Sequence, residues 1–189
     1  MNGPSSFVFE TSLGFFALSW SERGVARLVL PEASFSAALR RLAARNEGAA
    51  TQLADEEALP DGIRRLVAAI QAYAAGETVD LSDIAVDLAD IDDFRRAIYA
   101  AARNLAQGEA VTYGELARRA GHAGMARETG VALGRNPVPL VIPCHRIVAA
   151  GGKLGGFSAP GGNATKARLL AHERARVIAP DSVQASFLF

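Results

Sequence analysis

The sequence predicts an α/β (α+β) protein in two parts, and three observations support this. The first thirty residues alternate apolar and polar side chains in the manner of β-strands. Segments with helical signals follow in both halves of the chain. The composition changes near residue 90, where an acidic half gives way to a basic one. We therefore expect a small domain at residues 1–90, a mainly helical domain at residues 91–176 and a C-terminal tail at residues 177–189.

The first domain begins with three short strands. The runs "FVFE", "GFFALSW" and "GVARLVL" are separated by turn-like "TSLG" and "SERG", a pattern typical of an antiparallel meander. Ser34 is a good cap for a helix that runs to about Arg45. After a loop at residues 46–60, a second helix starts around Pro60–Asp61 and stops at Gly76. The run "DIAVDL" predicts one more strand, and no residue pattern in this half indicates chemistry.

The second domain begins with a helix over "FRRAIYAAARNLAQ". Asp92 or Asp93 can cap it, and Gly108 ends it. Two shorter helices follow, from Tyr113 to about residue 120 and up to about Leu133, around a turn that contains glycine. This spacing is typical of a helix-turn-helix motif and, with the local excess of arginine, favours binding to DNA. Helical hairpins of this length also occur in ordinary domains.

The second of these short helices carries small residues around one long cation. Ala126, Thr129 and Gly130 are small, and Arg127 stands among them. Such a surface suits a narrow groove of DNA, or a site from which a base is pushed out of the stack. Close packing on another helix is the alternative, because small residues allow that as well.

The net charge of zero conceals an uneven distribution. Residues 1–94 contain 7 basic and 15 acidic side chains, a balance of −8, and residues 95–189 contain 13 and 5, a balance of +8. A basic half indicates an anionic partner, most often nucleic acid, although two domains of opposite charge can also dock on each other. One cysteine allows no internal disulfide and no multi-cysteine zinc site. With no signal peptide and no apolar stretch of membrane length, we expect a cytoplasmic protein without membrane contact.

The only cysteine, Cys144, lies in "NPVPLVIPCHR" after a β-like run bounded by prolines. A thiol attacks as its thiolate, which needs a base or a positive charge nearby. His145 comes next, but neighbours on an extended chain point to opposite faces, so their cooperation would need a turn or a bridging water. Glu173 is the best candidate to orient the histidine, since only tail Asp181 is another carboxylate beyond the cysteine. A chemically inert, buried cysteine is the alternative.

A glycine-rich segment, "AAGGKLGGFSAPGGNATK", follows the cysteine. It matches neither a phosphate-binding loop nor a dinucleotide fingerprint. Its exposed backbone would suit a pocket for a flat ligand such as a base, although a plain surface loop has the same composition.

The motifs "TYGELA", "GRNPVPLVIPCHRIV", "GGFSAPGG…TK" and "LLAHE" together resemble the O6-alkylguanine-DNA alkyltransferases, also called methylated-DNA–protein-cysteine methyltransferases, over about residues 92–175. The resemblance implies a ribonuclease-H-like first domain and a second domain of winged-helix or helix-turn-helix type. It implies direct repair, in which the alkyl group of O6-alkylguanine in double-stranded DNA moves irreversibly to the cysteine; O4-alkylthymine is a further possible substrate. No cofactor or metal is expected, and the protein is expected to be a monomer.

The resemblance also implies roles for individual residues. Cys144 would be the nucleophile and His145 its base through a water, oriented by Glu173. Asn136 would brace the cysteine turn, and Tyr113 would donate a proton or hydrogen bond to the guanine. The remaining implied residues form two sets. The DNA-binding set consists of Ala126, Arg127, Thr129 and Gly130, to which the basic first helix adds Arg118 and Arg119. In the base pocket, backbone groups of Ile147, Leu154 and Ser158 would hold the base, and Phe157 would close the pocket.

Two residues depart from the family's pattern. Phe157 stands where some members have a tyrosine, and Glu128 follows Arg127 at a position that is usually small or apolar. A negative charge near phosphates could weaken DNA affinity.

Two other functions stay open on the sequence alone. The chain could be a hydrolase that uses Cys144, His145 and Glu173 repeatedly on an ester or peptide. It could also be a DNA-binding regulator or damage sensor that performs no chemistry.

Overall fold

The computed structural model of the protein describes residues 5–46 and 52–177. The chain divides into two compact units that change over between Ala89 and Asp90, with Pro137–Pro139 grouped with the first unit. Both units contain helices and strands, which confirms the α/β class. The predicted tail lies outside the described residues from position 178 onward. Among the described residues, no helix is long and apolar enough to cross a membrane.

The first unit is built on a four-stranded sheet with the strand order β3-β2-β1-β4. The three long strands form the predicted antiparallel meander, and the short β4 lies parallel to β1. The elements of this unit are β1 (Ser5–Thr11), β2 (Gly14–Ser21), β3 (Gly24–Glu32), α1 (Phe35–Arg45), β4 (Gln52–Leu53) and α2 (Asp61–Ala74).

Both helices of the first unit form where the sequence predicts them. The Ser34 hydroxyl accepts a hydrogen bond from the backbone N–H of Ala37 and so caps α1. One face of α1, including Leu42, packs on the sheet in a small apolar core. Helix α2 ends just before Gly76, whose φ of +94° is a conformation that glycine adopts without strain.

The prediction of a strand at "DIAVDL" is wrong. The segment makes one isolated bridge, between Val86 and Val25. Next to the bridge, the Asp87 carboxylate accepts hydrogen bonds of 2.6 and 2.9 Å from Ser21 and Arg23 of the β2–β3 hairpin. The loop predicted at 46–60 is also only partly a loop, because it contains β4 and a short 3-10 turn; its residues 47–51 lie outside the described ones.

The described part of the second unit combines four α-helices with a small parallel sheet of order β6-β5-β7. The sequence did not reveal this sheet, because strands of two to four residues carry too little periodicity. The elements are α3 (Asp93–Arg103), β5 (Glu109–Thr112), α4 (Tyr113–Arg119), α5 (Ala126–Gly134), β6 (Ile147–Val148), α6 (Gly162–His172) and β7 (Arg176–Val177).

Helix α3 is shorter than predicted. Asp92 caps it by accepting a hydrogen bond from the N–H of Arg95, but the helix ends at Arg103 and not at Gly108. The chain beyond it turns, which leaves the carbonyl of Leu105 to accept a hydrogen bond of 2.7 Å from buried Arg146. The early end of α3 therefore provides a hydrogen-bond acceptor for the buried guanidinium group of Arg146.

The predicted pair of short helices is present as α4 and α5. Thr112 caps α4 by accepting from the N–H of Glu115. No side chain caps α5 at its N-cap residue, Met125. Glu128 stands in the first turn of α5, where a carboxylate interacts favourably with the helix dipole. This interaction gives a structural reason for the unusual glutamate beside Arg127.

Candidate active site

Cys144 stands at the end of a tight, internally braced turn. The "PLVI" run before it is not the predicted β-like strand, because Leu140 has a φ of +77°. The Asn136 side-chain amide donates a hydrogen bond of 2.7 Å to the Ile142 carbonyl, and the N–H of Cys144 donates one of 2.8 Å to the same carbonyl. The cysteine then opens a single turn of 3-10 helix that ends at Arg146.

This 3-10 turn carries His145 into the interior, where it is only 1% exposed. Its Nε2 atom lies 2.7 Å from Oε1 of Glu173. Its Nδ1 atom is buried and has no hydrogen-bond partner among the described residues. Burial lowers the pKa of His145, against the opposing effect of Glu173, so the imidazole is neutral at neutral pH. The unpartnered nitrogen is therefore available to a water molecule or a proton.

Glu173, at the C-terminal end of α6, is buried between two partners. Besides His145, it accepts hydrogen bonds of 2.8 and 3.0 Å from Nε and Nη2 of Arg146. The N–H of Gly108 is a further donor at 3.3 Å. Burial acts to raise the pKa of Glu173, but the bonds and charges of His145 and Arg146 outweigh it and hold the pKa well below its usual range. This carboxylate is ionised and fixed.

Lys166 is a further buried cation that the sequence did not indicate. The predicted loop ends earlier than expected, because α6 already starts at Gly162 and includes this lysine. Its ammonium group donates a hydrogen bond to the Ile147 carbonyl and lies 5.6 Å from the ring centre of Tyr113 and 6.0 Å from that of Phe157. Burial lowers the pKa of Lys166 to about 8, and the opposing influence of Cys144 keeps it from falling further.

Tyr113 is held between two glycines. A Cβ atom on Gly155, whose φ is +69°, would lie 3.0 Å from the tyrosine ring, and one on Gly130 would lie 3.7 Å from it. The hydroxyl donates a hydrogen bond of 3.2 Å to the Gly156 carbonyl. Burial, followed by the nearby Cys144, raises the pKa of Tyr113, so the phenol remains a proton donor.

These groups meet at a cavity of about 580 Å³. Seven of the residues that line it were expected from the sequence: Tyr113, Ala126, Arg127, Gly130, Cys144, Phe157 and Ser158. Four others were not: Val131, Leu133, Gly134 and Gly156. The Ser158 hydroxyl donates to the Gly134 carbonyl at 3.1 Å, which joins the glycine-rich segment to the end of α5.

Two residues of the expected base pocket and one of the residues expected to bind DNA from α5 lie outside this lining. Ile147 is fully buried, and its carbonyl accepts a hydrogen bond from Lys166. Leu154 packs on the small apolar core around Val148. Thr129 is fully buried and its hydroxyl donates to the Met125 carbonyl at 2.8 Å, so it does not face DNA as expected. The sequence did not show which face of α5 would turn inward.

The two arginines expected to contact phosphates are held by carboxylates. Buried Glu115 accepts two hydrogen bonds from Arg118, at 2.8 and 2.9 Å, and one of 2.8 Å from Arg119. Arg119 also contacts Glu109 at 2.8 Å. Arg127 on α5, by contrast, is exposed at the cavity, and the described part of the chain offers it no carboxylate partner. Within that part of the chain, no three His, Cys, Asp or Glu side chains gather in a way that could hold a metal ion.

Residues 93–175 match the family model described as "6-O-methylguanine DNA methyltransferase, DNA binding domain". A methylated-DNA–protein-cysteine methyltransferase of Mycolicibacterium paratuberculosis is 41% identical over 115 residues, which cover 61% of this chain and 67% of that protein. One of Methanosarcina acetivorans is 31% identical over 152 residues, which cover 80% of this chain and 87% of that protein.

Among solved structures, that of Mycobacterium tuberculosis OGT in complex with DNA is similar in fold, with a TM-score of 0.69 and 28% sequence identity. The match covers 89% of this chain and 92% of the other. The cysteine turn, its buried histidine–glutamate pair and these matches agree, and the chain belongs to the methylated-DNA–protein-cysteine methyltransferase family.

Proposed function

We propose that the protein repairs DNA by direct reversal. It transfers the alkyl group of O6-alkylguanine in double-stranded DNA to Cys144, once per chain. The observation that carries this proposal is the geometry around the only thiol: Cys144 lines an open cavity, and the next residue is a buried, neutral histidine held by an ionised glutamate. The relatives named above carry the same activity in their names.

The transfer follows from this geometry. His145 accepts the thiol proton at Nδ1 through a water molecule, and Glu173 stabilises the imidazolium that forms. The thiolate attacks the alkyl carbon, so that a sulfur–carbon bond forms as the carbon–O6 bond breaks. The electron pair of the broken bond moves into the guanine, which becomes basic at its ring nitrogens. No later step frees the sulfur, and the chain reacts once.

Two further side chains assist the departing base. Tyr113 lines the cavity with its phenol protonated, and it donates a proton or hydrogen bond to the guanine ring so that the base leaves near neutrality. Among the described residues no carboxylate pairs with Lys166, and its positive charge favours both the Cys144 thiolate and an anionic base. The aromatic ring of Phe157 supplies a flat apolar wall without the hydroxyl of a tyrosine.

We assign DNA binding to the second unit, as a helix-turn-helix domain in which α5 is the recognition helix. Arg127 fills the gap left by the flipped nucleotide, and Ala126 and Gly130 allow the helix to approach the minor groove closely. All these groups come from one unit of one chain, which supports a monomer as the acting form. The first unit serves as the ribonuclease-H-like accessory domain. A protein that depends on a reduced thiol is suited to the cytoplasm.

The mass of the intact protein tests the proposal. After incubation with duplex DNA that contains O6-methylguanine, we expect one added methyl group per chain, on the tryptic peptide that contains Cys144. Cys144→Ser should bind the same DNA and gain no mass. Methylation of another residue would contradict the proposed acceptor. More than one product per chain from excess ester would indicate a hydrolase, and a cellular role that Cys144→Ser leaves unchanged would indicate a regulator.

Arg127→Ala tests the engagement of the duplex. We expect single-turnover repair in duplex DNA to slow by about tenfold or more, because extruding a base costs a few kcal/mol that the arginine helps to offset. Transfer from free O6-benzylguanine, which needs no extrusion, should change far less. An equal loss with both substrates would show that Arg127 serves the cavity or the fold.

A further inference from the structure

Tyr99 is a fully buried tyrosine in the middle of α3. Its hydroxyl donates a hydrogen bond of 2.8 Å to the carbonyl of Ala132, in the last turn of α5. Carbonyls in the last turn of a helix have no partner within the helix. The Ala132 carbonyl also accepts the N–H of Arg135 at 3.1 Å, so it is held from two sides.

The residues directly after Ala132 shape the cavity and the cysteine turn. Leu133 and Gly134 line the cavity, and the Gly134 carbonyl accepts the hydroxyl of Ser158 from the glycine-rich segment. Two residues further on, Asn136 braces the turn before Cys144 through the Ile142 carbonyl. A displacement of Ala132 would therefore reach both the wall of the cavity and the support of the nucleophile.

The hydroxyl of Tyr99 is itself held in place by charge. Arg95, one turn earlier on α3, is bound to Asp92 at 2.6 Å and also interacts with the phenol, and these contacts raise the pKa of Arg95. Burial, against the opposing effect of Arg95, raises the pKa of Tyr99 to about 12. The phenol thus stays protonated at neutral pH and remains the donor to Ala132.

We propose that Tyr99 is a positioning residue for alkyl transfer, whose hydroxyl fixes the end of α5 and thereby the Gly134 wall and the Asn136 brace. It touches Ala132 and acts through that residue on the cavity. The proposal rests on the proposed function, because the reaction that it supports is the transfer to Cys144.

Tyr99→Phe removes the hydroxyl and keeps the ring. We expect single-turnover benzyl transfer from O6-benzylguanine to fall by roughly fivefold or more, equally for the free base and the duplex, because small misplacements of reacting groups are costly. Iodoacetamide alkylates Cys144 without first binding in the cavity, so the rate of this reaction should change by less than about twofold. A merely destabilised fold would not produce this selective loss.

Tyr73→Phe is the matched control, because Tyr73 is also fully buried but belongs to α2 of the first unit. It should leave both reactions of Cys144 unchanged. Transfer by Tyr99→Phe at the parent rate would overturn the proposal, as would an equal loss in both reactions. Should Tyr99→Phe fail to fold, Arg95→Ala decides: a selective loss of benzyl transfer supports the proposal, and parent rates in both reactions overturn it. Absence of benzyl transfer in the parent protein would instead count against the proposed function.

Discussion

Glu173 and Glu115 are two buried carboxylates in the same unit, and each accepts hydrogen bonds from two neighbouring basic side chains. Both have a pKa below the usual range, to about 2 for Glu115. The two sites differ in how exposed the partner side chains are. Glu173 binds His145 and Arg146, whose side chains are 1% and 9% exposed, whereas Glu115 binds Arg118, whose side chain is 60% exposed.

This difference separates a chemical role from a structural one. His145 has a second ring nitrogen that is buried and has no partner in the described part of the chain, so the charge of Glu173 can act on a proton there. Arginine stays protonated and cannot pass a proton on. The charge of Glu115 is therefore balanced by the guanidinium groups of Arg118 and Arg119, and these ion pairs stabilise α4. Of the two carboxylates, only Glu173 has a partner, His145, that can exchange a proton.

The largest expected effect belongs to Glu173→Gln. Single-turnover alkyl transfer from free O6-benzylguanine should fall by roughly 100-fold or more, because His145 loses the charge that stabilises its protonated form. The free energy of unfolding should fall by about 3–5 kcal/mol, since Arg146 stays buried without its partner. Stopped-flow transfer rates and urea unfolding measure the two effects.

Glu173→Asp keeps the charge beside Arg146 but shortens the reach to His145. This variant keeps the prediction testable if Glu173→Gln does not fold. We expect it to fold stably and to transfer the alkyl group slowly. Parent rates in both variants would remove Glu173 from the mechanism and erase the distinction from Glu115.

The sequence indicated the reacting residues of the site better than the buried residues that hold them in place. Cys144, His145 and Glu173 could be grouped because few carboxylates follow the only cysteine. Arg146 and Lys166 could not, since their burial depends on the early end of α3 and on the start of α6 at Gly162. The meander and five helices followed from local signals, whereas the parallel sheet of the second unit depends on pairing between distant short segments. Thr129 was misplaced because a short helix of small residues has no clear apolar face.

Glu115→Gln is the matched substitution at the other carboxylate, and its effect should be smaller. Transfer from the free base should stay within about twofold of the parent rate, because the removed charge does not act on a reacting proton. The free energy of unfolding should fall by about 1–2 kcal/mol at neutral pH, because Arg118 and Arg119 can turn to water once their acceptor is neutral. A large loss of transfer would contradict the structural role.

The pH dependence sharpens the same comparison. The pKa of folded Glu115 is about 2, below the value of about 4.5 of an ordinary glutamate, so its charge stabilises the fold above pH 4.5. This contribution is lost as the pH falls from about 4.5 to about 2, through the folded-state pKa. Parent and Glu115→Gln should thus become equally stable at the acid end, as measured by urea unfolding at a series of pH values. A stability difference independent of pH would show that the lost carboxylate charge is not its cause.

The smallest expected effect concerns the arginines that Glu115 holds. Glu109, Glu115, Arg118 and Arg119 form a cluster with no net charge. We therefore expect Arg118→Ala to flatten the salt dependence of duplex binding by less than about half a unit of slope, well short of a full phosphate contact.

Arg135, the exposed residue that follows α5, is the matched variant, because the described residues offer it no carboxylate partner. Arg135→Ala should flatten the slope by about one unit if its guanidinium neutralises a phosphate. Fluorescence anisotropy of a labelled duplex over a salt series gives both slopes. A full unit of change for Arg118→Ala would show that DNA draws this arginine toward the backbone despite Glu115. The buried carboxylate would then orient a phosphate-binding side chain, and its role would extend from the fold of α4 to the binding of the substrate.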